Sequence, residues 1–479
     1  MFHILNTSMA DINIVVALTK NAKINITNLS WLCPEHFHKM IKLTKDSIVV
    51  MGRNTWESLP EGYDDFDDRK NIVVTTRSAA FSPQKNTMFV SPKDIDKYIV
   101  TNKPVFVIGG ASLFAMFIQR AQHIYATILE ADRIELEETS ERIEEFPLKE
   151  FMNFKIVEFY PVSGNGKFRH VTYERIRNGQ YNHDEFQYLD LLRDIYENGK
   201  SRDDRTKIGT RAVFGRQIRF NIADSVPLIT TKHVGWKSVV KELLWFIKGE
   251  TDSKTLEQQG VNIWKSNSTR EFLDNRGLHH YSEGDIGPMY GFNWRHLGAR
   301  YNGTAHEYSG NGFDQLQWLI HSLKTDPYSR RHMITTFNPL VVDQGVLAPC
   351  HGIVTQFFVE DDIDSSSSIK HLSCHVYNRS QDTFLGMTWN IFSYAVFTHI
   401  VAKFTGMKPK ELVISTGDTH IYTNHLEQCK MQLSRTPLPF PRLVINDRVV
   451  DKGIDNITID DFDLIGYMCH SAIKAPMAV

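Results

Sequence analysis

The chain has 479 residues, 42% of them hydrophobic and 23% charged, and a formal net charge of −2. That length suits two domains, with room for a third, and the near-neutral balance excludes a general attraction to nucleic acid or anionic membrane, so any anion must be held by locally placed arginines. No apolar run reaches the length of a transmembrane helix, and residues 1–18 lack the basic segment and long apolar core of a cleaved secretory signal. The 5 cysteines (Cys33, Cys350, Cys374, Cys429, Cys469) are odd in number, scattered and free of any C-x-x-C pair. This argues against a disulfide framework or a metal site and for a reducing, cytoplasmic setting.

In chain order, residues 12–18 (INIVVAL), 47–51 (SIVVM), 71–75 (NIVVT) and 105–108 (VFVI) are short, continuous and β-branched. Such runs are expected of strands covered on both faces. Helical patterns lie between them, which predicts an α/β domain with a largely parallel sheet ending near 171–177. A short polar stretch at 178–184 separates it from a second domain of different texture. There, helical spacing recurs at Phe186, Leu189, Leu192 and Ile195, then at Val240, Leu244 and Ile247. Strand-like runs follow at 353–359 and 371–377. Between them residues 360–368 (EDDIDSSSS) read as an enlarged, solvated hairpin loop. The domains are thus expected at 10–177 and 184–479.

The chemistry of the second half centres on Pro349-Cys350-His351 and Asn378-Arg379-Ser380-Gln381-Asp382, with Asn390 beyond. A cysteine nucleophile needs thiolate character, which a nearby positive charge favours. Arg379 supplies that charge if the fold brings it close. A phosphate dianion needs arginines in fork geometry, and Arg205 and the Arg330-Arg331 pair are candidates, although an Arg-Arg pair by itself more often marks a solvated turn. Glu242 lies off the stripe of Val240, Leu244 and Ile247, so periodicity alone puts it on a solvated face. His351 is adjacent to Cys350 in the chain, and neighbours in sequence rarely face each other, so it is assigned no base role.

The segment from 184 to the end resembles thymidylate synthase throughout. The resemblance is carried by HDEFQYL at 183–189, DRT at 204–206, ELLWFIKGET from Glu242, Ile263-Trp264, GPMYG around Tyr290, SRR at 329–331 and APCH at 348–351. NRSQDTFLGMTWN at 378–390, GDTHIYTNH at 417–425 and the terminal Pro476-Met477-Ala478-Val479 complete it. It implies an α+β domain in which Cys350 adds to C6 of dUMP and 5,10-methylenetetrahydrofolate supplies the one-carbon unit. Arg205, Arg379 and Ser380 would hold the phosphate, and Arg330 and Arg331 would reach the phosphate of a partner subunit, making a homodimer. Asn390 would read the pyrimidine edge, and His420 and Tyr422 the ribose hydroxyl. Glu242 would organise water and proton transfer, Tyr290 would assist proton removal, Trp264 would line the folate pocket and Asp382 would contact the pterin. The terminal residues would close over the ligands. This chain departs from the family pattern at Asn378 (usually Gln), at Thr388-Trp389 (usually Pro-Phe), at Lys207-Ile208 and at Ala348. None of these removes a reacting group; they bear on how the nucleotide is positioned.

Residues 10–177 resemble dihydrofolate reductase through INIVVAL, Trp31-x-x-Pro34, VVMGRNTWESLP at 49–60, RKNIV at 69–73, VFVIGGASLF at 105–114, IYAT at 124–127 and Tyr173-Glu174-Arg175. This implies an α/β domain in which Gly52, Arg53, Asn54 and Thr55 suit the phosphates of NADPH. Gly109 and Gly110 would let that cofactor approach the backbone. Arg69 would pair with the folate glutamate tail and Thr127 would support the pterin-binding acid. At the acid's own position, however, stands His36. Glu35 does not substitute for it, because it pairs with Lys39 one turn on and one helical step turns a side chain by about 100°. A neutral histidine offers one acceptor and a charged one none.

Together the two resemblances imply a bifunctional chain in which the reductase half restores the dihydrofolate that the synthase half produces. The rival expectation, resting on His36, is a synthase alone, fused to a folate- or NADPH-binding scaffold impaired in catalysis. A nucleic acid is not expected as primary partner, since no basic patch with interleaved aromatics occurs.

Overall fold

The computed structural model describes residues 10–25, 34–60, 68–83, 85–129, 143–162, 168–176, 183–203, 207–364 and 367–477. The chain divides into two compact units. The first comprises Met1–His183 with Thr436–Phe440 and Gly466–Ser471, and the second holds the remainder.

The first unit is built on an eight-stranded sheet. Its strands are β1 (Ile12–Leu18), β2 (Ile48–Gly52), β3 (Lys70–Val74), β4 (Thr87–Val90), β5 (Val105–Gly109), β6 (His123–Leu129), β7 (Phe154–Phe159) and β8 (Phe168–Arg175), in the spatial order β4-β3-β2-β5-β1-β6-β8-β7. Pairing is parallel from β4 to β6, and β8 pairs antiparallel with β6 and β7. All seven residues of β1 are buried, which is why its sequence is apolar without alternation, apart from Asn13. Helix α1 (Pro34–Leu43) begins on Pro34, whose fixed φ suits a first helical turn. It lays Phe37 and Met40 on Val15, Val49, Met51, Val73 and Phe106, a core that spans the middle strands. After β2 comes the short helix α2 (Arg53–Glu57), and after β5 comes α3 (Ala111–Phe117).

The second unit is α+β. Its six-stranded sheet runs β9-β10-β14-β13-β12-β11, with β9 Lys200–Arg202, β10 Thr210–Asn221, β11 Met333–Thr335, β12 Val354–Asp361, β13 Lys370–Asp382 and β14 Lys408–Tyr422. Only the β13–β14 pair is parallel. The β12–β13 ladder runs to Asp361 opposite Lys370, so the polar insert starts later than its composition suggests. One sheet face is covered by α8 (Gly386–Thr405), which also packs on α5 (Trp236–Ile247) and α7 (Gln315–Thr325). A helix clasped on both sides must be apolar all round, and α8 is. Helix α4 (Glu185–Asn198) opens the unit with a buried carboxylate: Glu185 accepts from the backbone N–H and hydroxyl of both Thr230 and Thr231 at 2.6–2.9 Å. α6 (Tyr290–His296) packs against α5. Among the described residues, no helix is long and apolar enough to cross a membrane.

Candidate active sites

In the second unit the chemistry gathers on the turn that enters β12. The Cys350 thiol lies 3.4 Å from Tyr290 Oη, and the same hydroxyl accepts the Cys350 backbone N–H at 3.1 Å. Arg379, on β13, donates to the carbonyls of Pro349 at 2.7 Å and Ala348 at 2.8 Å, and Ser380 N–H donates to the Cys350 carbonyl. The guanidinium is therefore held beside Cys350 by the backbone that carries the thiol. Burial pushes the Cys350 thiol pKa up, and the Tyr290 hydroxyl and the Arg379 charge oppose it without reversing it, so the resting group is the thiol.

The turn needs a glycine. Gly352 has φ +60°, and a Cβ there would lie 1.9 Å from Tyr394 Oη. Its N–H donates to Asn378 Oδ1 at 2.8 Å; Asn378 Nδ2 donates to Gln381 Oε1 at 2.6 Å, and Gln381 Nε2 to Asn390 Oδ1 at 3.0 Å. Asn378, one methylene shorter than the usual Gln, thus supports the nucleophile's turn and links it to Asn390 on α8. With its oxygen fixed by Gln381, Asn390 has its Nδ2 as the group left to donate.

His351 stacks on Tyr290, with ring centroids 4.5 Å apart, and bonds Tyr394 Oη through Nδ1 at 3.0 Å. Burial drives its pKa down to about 3, so the ring is neutral and turned away from base chemistry.

Glu242 is not on a solvated face. It is 5% exposed, and Val239, Leu243 and Phe246 are buried with the stripe seen in sequence, because α5 is covered on several sides. Its Oε1 accepts Trp264 Nε1–H at 2.9 Å and its Oε2 accepts Trp389 Nε1–H at 2.7 Å. Burial raises its pKa to about 7 despite both donors. Such a carboxyl gains and loses a proton near neutrality, as general acid–base work requires.

Around the Cys350 turn, Asp382 Oδ1 caps the entry to α8 by accepting Phe384 N–H and Leu385 N–H at 3.0 and 3.2 Å. His420, on β14, is oriented by Asp418 at 3.0 Å, which also pairs with Arg202, and its ring meets Tyr422 edge-on at 5.3 Å. Arg330 and Arg331 are exposed in the turn before β11 and are not gathered with these groups by any bond among the described residues. The tail comes back to this unit, where His425 Nε2 lies 2.7 Å from the Pro476 carbonyl. Arg205 lies outside the described residues.

In the first unit, the α2 start and the Gly109-Gly110 segment stand at the carboxyl ends of the adjacent parallel strands β2 and β5, where ligands of such sheets bind. A Cβ on Gly52 would lie 3.6 Å from Gly110 N. Gly109 has φ +141°, and a Cβ there would lie 3.0 Å from Thr55 Oγ1, so only glycine fits. A Cβ on Gly110 would meet nothing nearer than Thr55 Oγ1 at 3.8 Å, so no side chain crowds the backbone on that side. Arg53 is paired with Glu57 at 2.7 Å, and Asn54 is exposed. Arg69 is buried, bonded to Asp68 and to Thr44 Oγ1 at 2.6 Å each. Thr127 bonds His170 Nδ1 at 2.8 Å across the β6–β8 pair. His36 belongs to α1, and its side chain lies outside the described residues.

Sequence reasoning missed Tyr394, and it named Asn378, Gln381 and Trp389 without the bonds they make. The signal was there for two of them: Asn378 and Trp389 stand where the chain leaves the family pattern.

Fold and sites together define a two-part chain of nucleotide and folate metabolism. The thymidylate synthase family model matches residues 186–479 and the dihydrofolate reductase model residues 11–193. Among similar proteins are the bifunctional dihydrofolate reductase-thymidylate synthases of Paramecium tetraurelia (37% identical, covering 99% of this chain and 100% of that one), Zea mays (35%, 97% and 96%) and Leishmania major (35%, 91% and 86%). The chain belongs to the bifunctional dihydrofolate reductase–thymidylate synthase family.

Proposed function

We propose that this enzyme converts dUMP to dTMP with 5,10-methylenetetrahydrofolate, and reduces the resulting dihydrofolate to tetrahydrofolate with NADPH. The observation that carries the synthase half is the Cys350 thiol held by Tyr290 beside a guanidinium fixed to its own turn. Cys350 adds to C6 of the base, and the enolate so formed at C5 attacks the one-carbon unit. Asn390 reads the pyrimidine edge, Arg205, Arg379 and Ser380 hold the phosphate, and His420 and Tyr422 take the ribose. Glu242 moves protons near the base, Tyr290 assists removal of the C5 proton, and Trp264 and Asp382 face the folate. The folate leaves as dihydrofolate, having given up carbon and hydride.

In the reductase half the backbone cradle of Gly52, Gly109 and Gly110, with Arg53, Asn54 and Thr55, fits a dinucleotide phosphate. NADPH supplies the hydride when bound there. Arg69 serves the glutamate tail only by exchanging Asp68 for it, and His36 and Thr127 attend the pterin.

The synthase works as a homodimer. On the sheet face away from α8, Met333, Phe358 and Tyr377 are 47%, 63% and 40% exposed, among Gln217, Arg219, Gln356, His375, Glu411 and Ser415. A face that mixes large apolar side chains with polar ones suits a self-complementary partner, and Arg330 and Arg331 beside its β11 edge then reach the partner's phosphate. The test is Cys350→Ser: tritium release from 5-labelled dUMP is expected to fall by at least about four orders of magnitude, and persistence of release overturns the assignment.

A further inference from the structure

Glu242 is a buried carboxyl with each oxygen held by a different indole. Trp264 belongs to the motif already read in the sequence. Trp389 stands where the resembled family carries phenylalanine, a ring that offers no donor. The two sites are 147 residues apart in sequence, and the bond between them, Trp389 Nε1–H to Glu242 Oε2 at 2.7 Å, is shorter than the 2.9 Å bond from Trp264. The first turn of α8 thus works on two sides at once. Asn390 faces Gln381, while the preceding residue, about 100° round the helix, faces α5.

We propose that Trp389 is a positioning residue of the synthase: its indole N–H closes a two-point clamp on Glu242, fixing the carboxylate in one orientation where a phenylalanine would leave one oxygen to water. The inference rests on the synthase reading given above.

The groups around Glu242 make the clamp the main support of its charge. Tyr394 on α8 is electrostatically coupled to it and bonded to neutral His351; Tyr290 on α6 lies beside Trp264 and bonds Cys350. Burial favours the neutral carboxyl, and the two indoles are the groups that oppose it. An N–H donated to a carboxylate stabilises the ionised form and does nothing comparable for the acid. Removing one donor therefore raises the pH at which Glu242 ionises.

The experiment compares wild type, Trp389→Phe and Glu242→Gln. The limb of the kcat–pH profile that Glu242→Gln removes identifies the Glu242 ionisation. In Trp389→Phe that limb is expected to move up by about one pH unit, with KM for dUMP changed by less than about twofold. A difference infrared titration, using the carboxyl band that Glu242→Gln deletes, reads the same shift without turnover. Should Trp389→Phe not fold, Trp389→Met carries the same expectation, since any apolar side chain removes the donor. An unmoved limb and an unmoved infrared titration overturn the clamp. Absence of wild-type dUMP turnover would instead overturn the synthase reading, with the infrared titration still deciding the clamp.

Discussion

The two units treat their polar side chains differently. In the synthase unit each side chain proposed to act on substrate is held by another: Tyr290 holds the Cys350 thiol, Gln381 holds Asn390, and Trp264 and Trp389 hold Glu242. In the reductase unit three of the polar side chains expected to meet ligand are bonded within the protein: Arg53 to Glu57, Arg69 to Asp68, Thr127 to His170. Beside the exposed Asn54, what that unit offers is glycine backbone, at Gly52, Gly109 and Gly110. A cradle made of glycine backbone tolerates drift in the surrounding side chains. A carboxylate's grip on a pterin depends on one side chain and does not tolerate its loss.

The largest effect that tests this contrast is a gain. His36→Asp puts a two-oxygen acceptor at the position proposed to meet the pterin, and dihydrofolate-dependent NADPH oxidation is expected to rise by roughly 30- to several-thousand-fold in kcat/KM, the range for a buried charged contact regained. The assay runs both proteins across pH, because a histidine that accepts one bond when neutral loses it on protonation. Equal rates in the two proteins would mean that another group holds the pterin and that the contrast between the units is overstated. Tritium release from dUMP should not change, since the substitution lies in the other unit.

The next effect belongs to Glu242 and is one of stability. Its pKa rises from 4.5 to about 7 on folding. Between those values the folded state binds the extra proton, so the stabilisation is full below about pH 4.5 and is lost as pH rises through about 7. The shift corresponds to about 3 kcal/mol. Urea unfolding of wild type and Glu242→Gln at several pH values should show the wild type losing ground to the variant by about that amount between pH 5 and 8. The comparison of slopes matters, because Gln also meets one indole donor with an amide N–H, a penalty that does not vary with pH. Parallel curves would mean that the buried carboxyl titrates as if free.

How much of this was readable in the sequence follows from the range of each interaction. Strand β1 is found at the residues its apolar run marks, and β2, β3 and β5 within one residue, because burial on both faces writes itself into consecutive positions. Cys350, Tyr290 and Asn390 were found through motifs. Glu242 was misplaced by periodicity, since an apolar stripe shows one buried side of a helix and α5 has several. Trp389 and Asn378 were visible only as departures. Their meaning lies in bonds to Glu242 and to the Gly352 turn, partners that no local pattern connects.

The smallest expected effect concerns the partner subunit, and it separates the two units again. If Arg331 serves the neighbour's phosphate, a Cys350→Ser subunit has a dead thiol but a sound Arg331, and an Arg331→Ala subunit the reverse. Mixed one to one with subunit exchange, half of the dimers are hybrids, and each hybrid holds one site with both defects and one with neither. Synthase activity is then expected to recover to about a quarter of wild type. Reductase activity is expected to stay at the parental level throughout, because its cradle is built from residues of one chain, Gly52 and Gly110 lying against each other within a single sheet. No recovery of synthase activity would place Arg331 at its own subunit's phosphate or at none, and the exposed face of Phe358 and Tyr377 would then need another explanation.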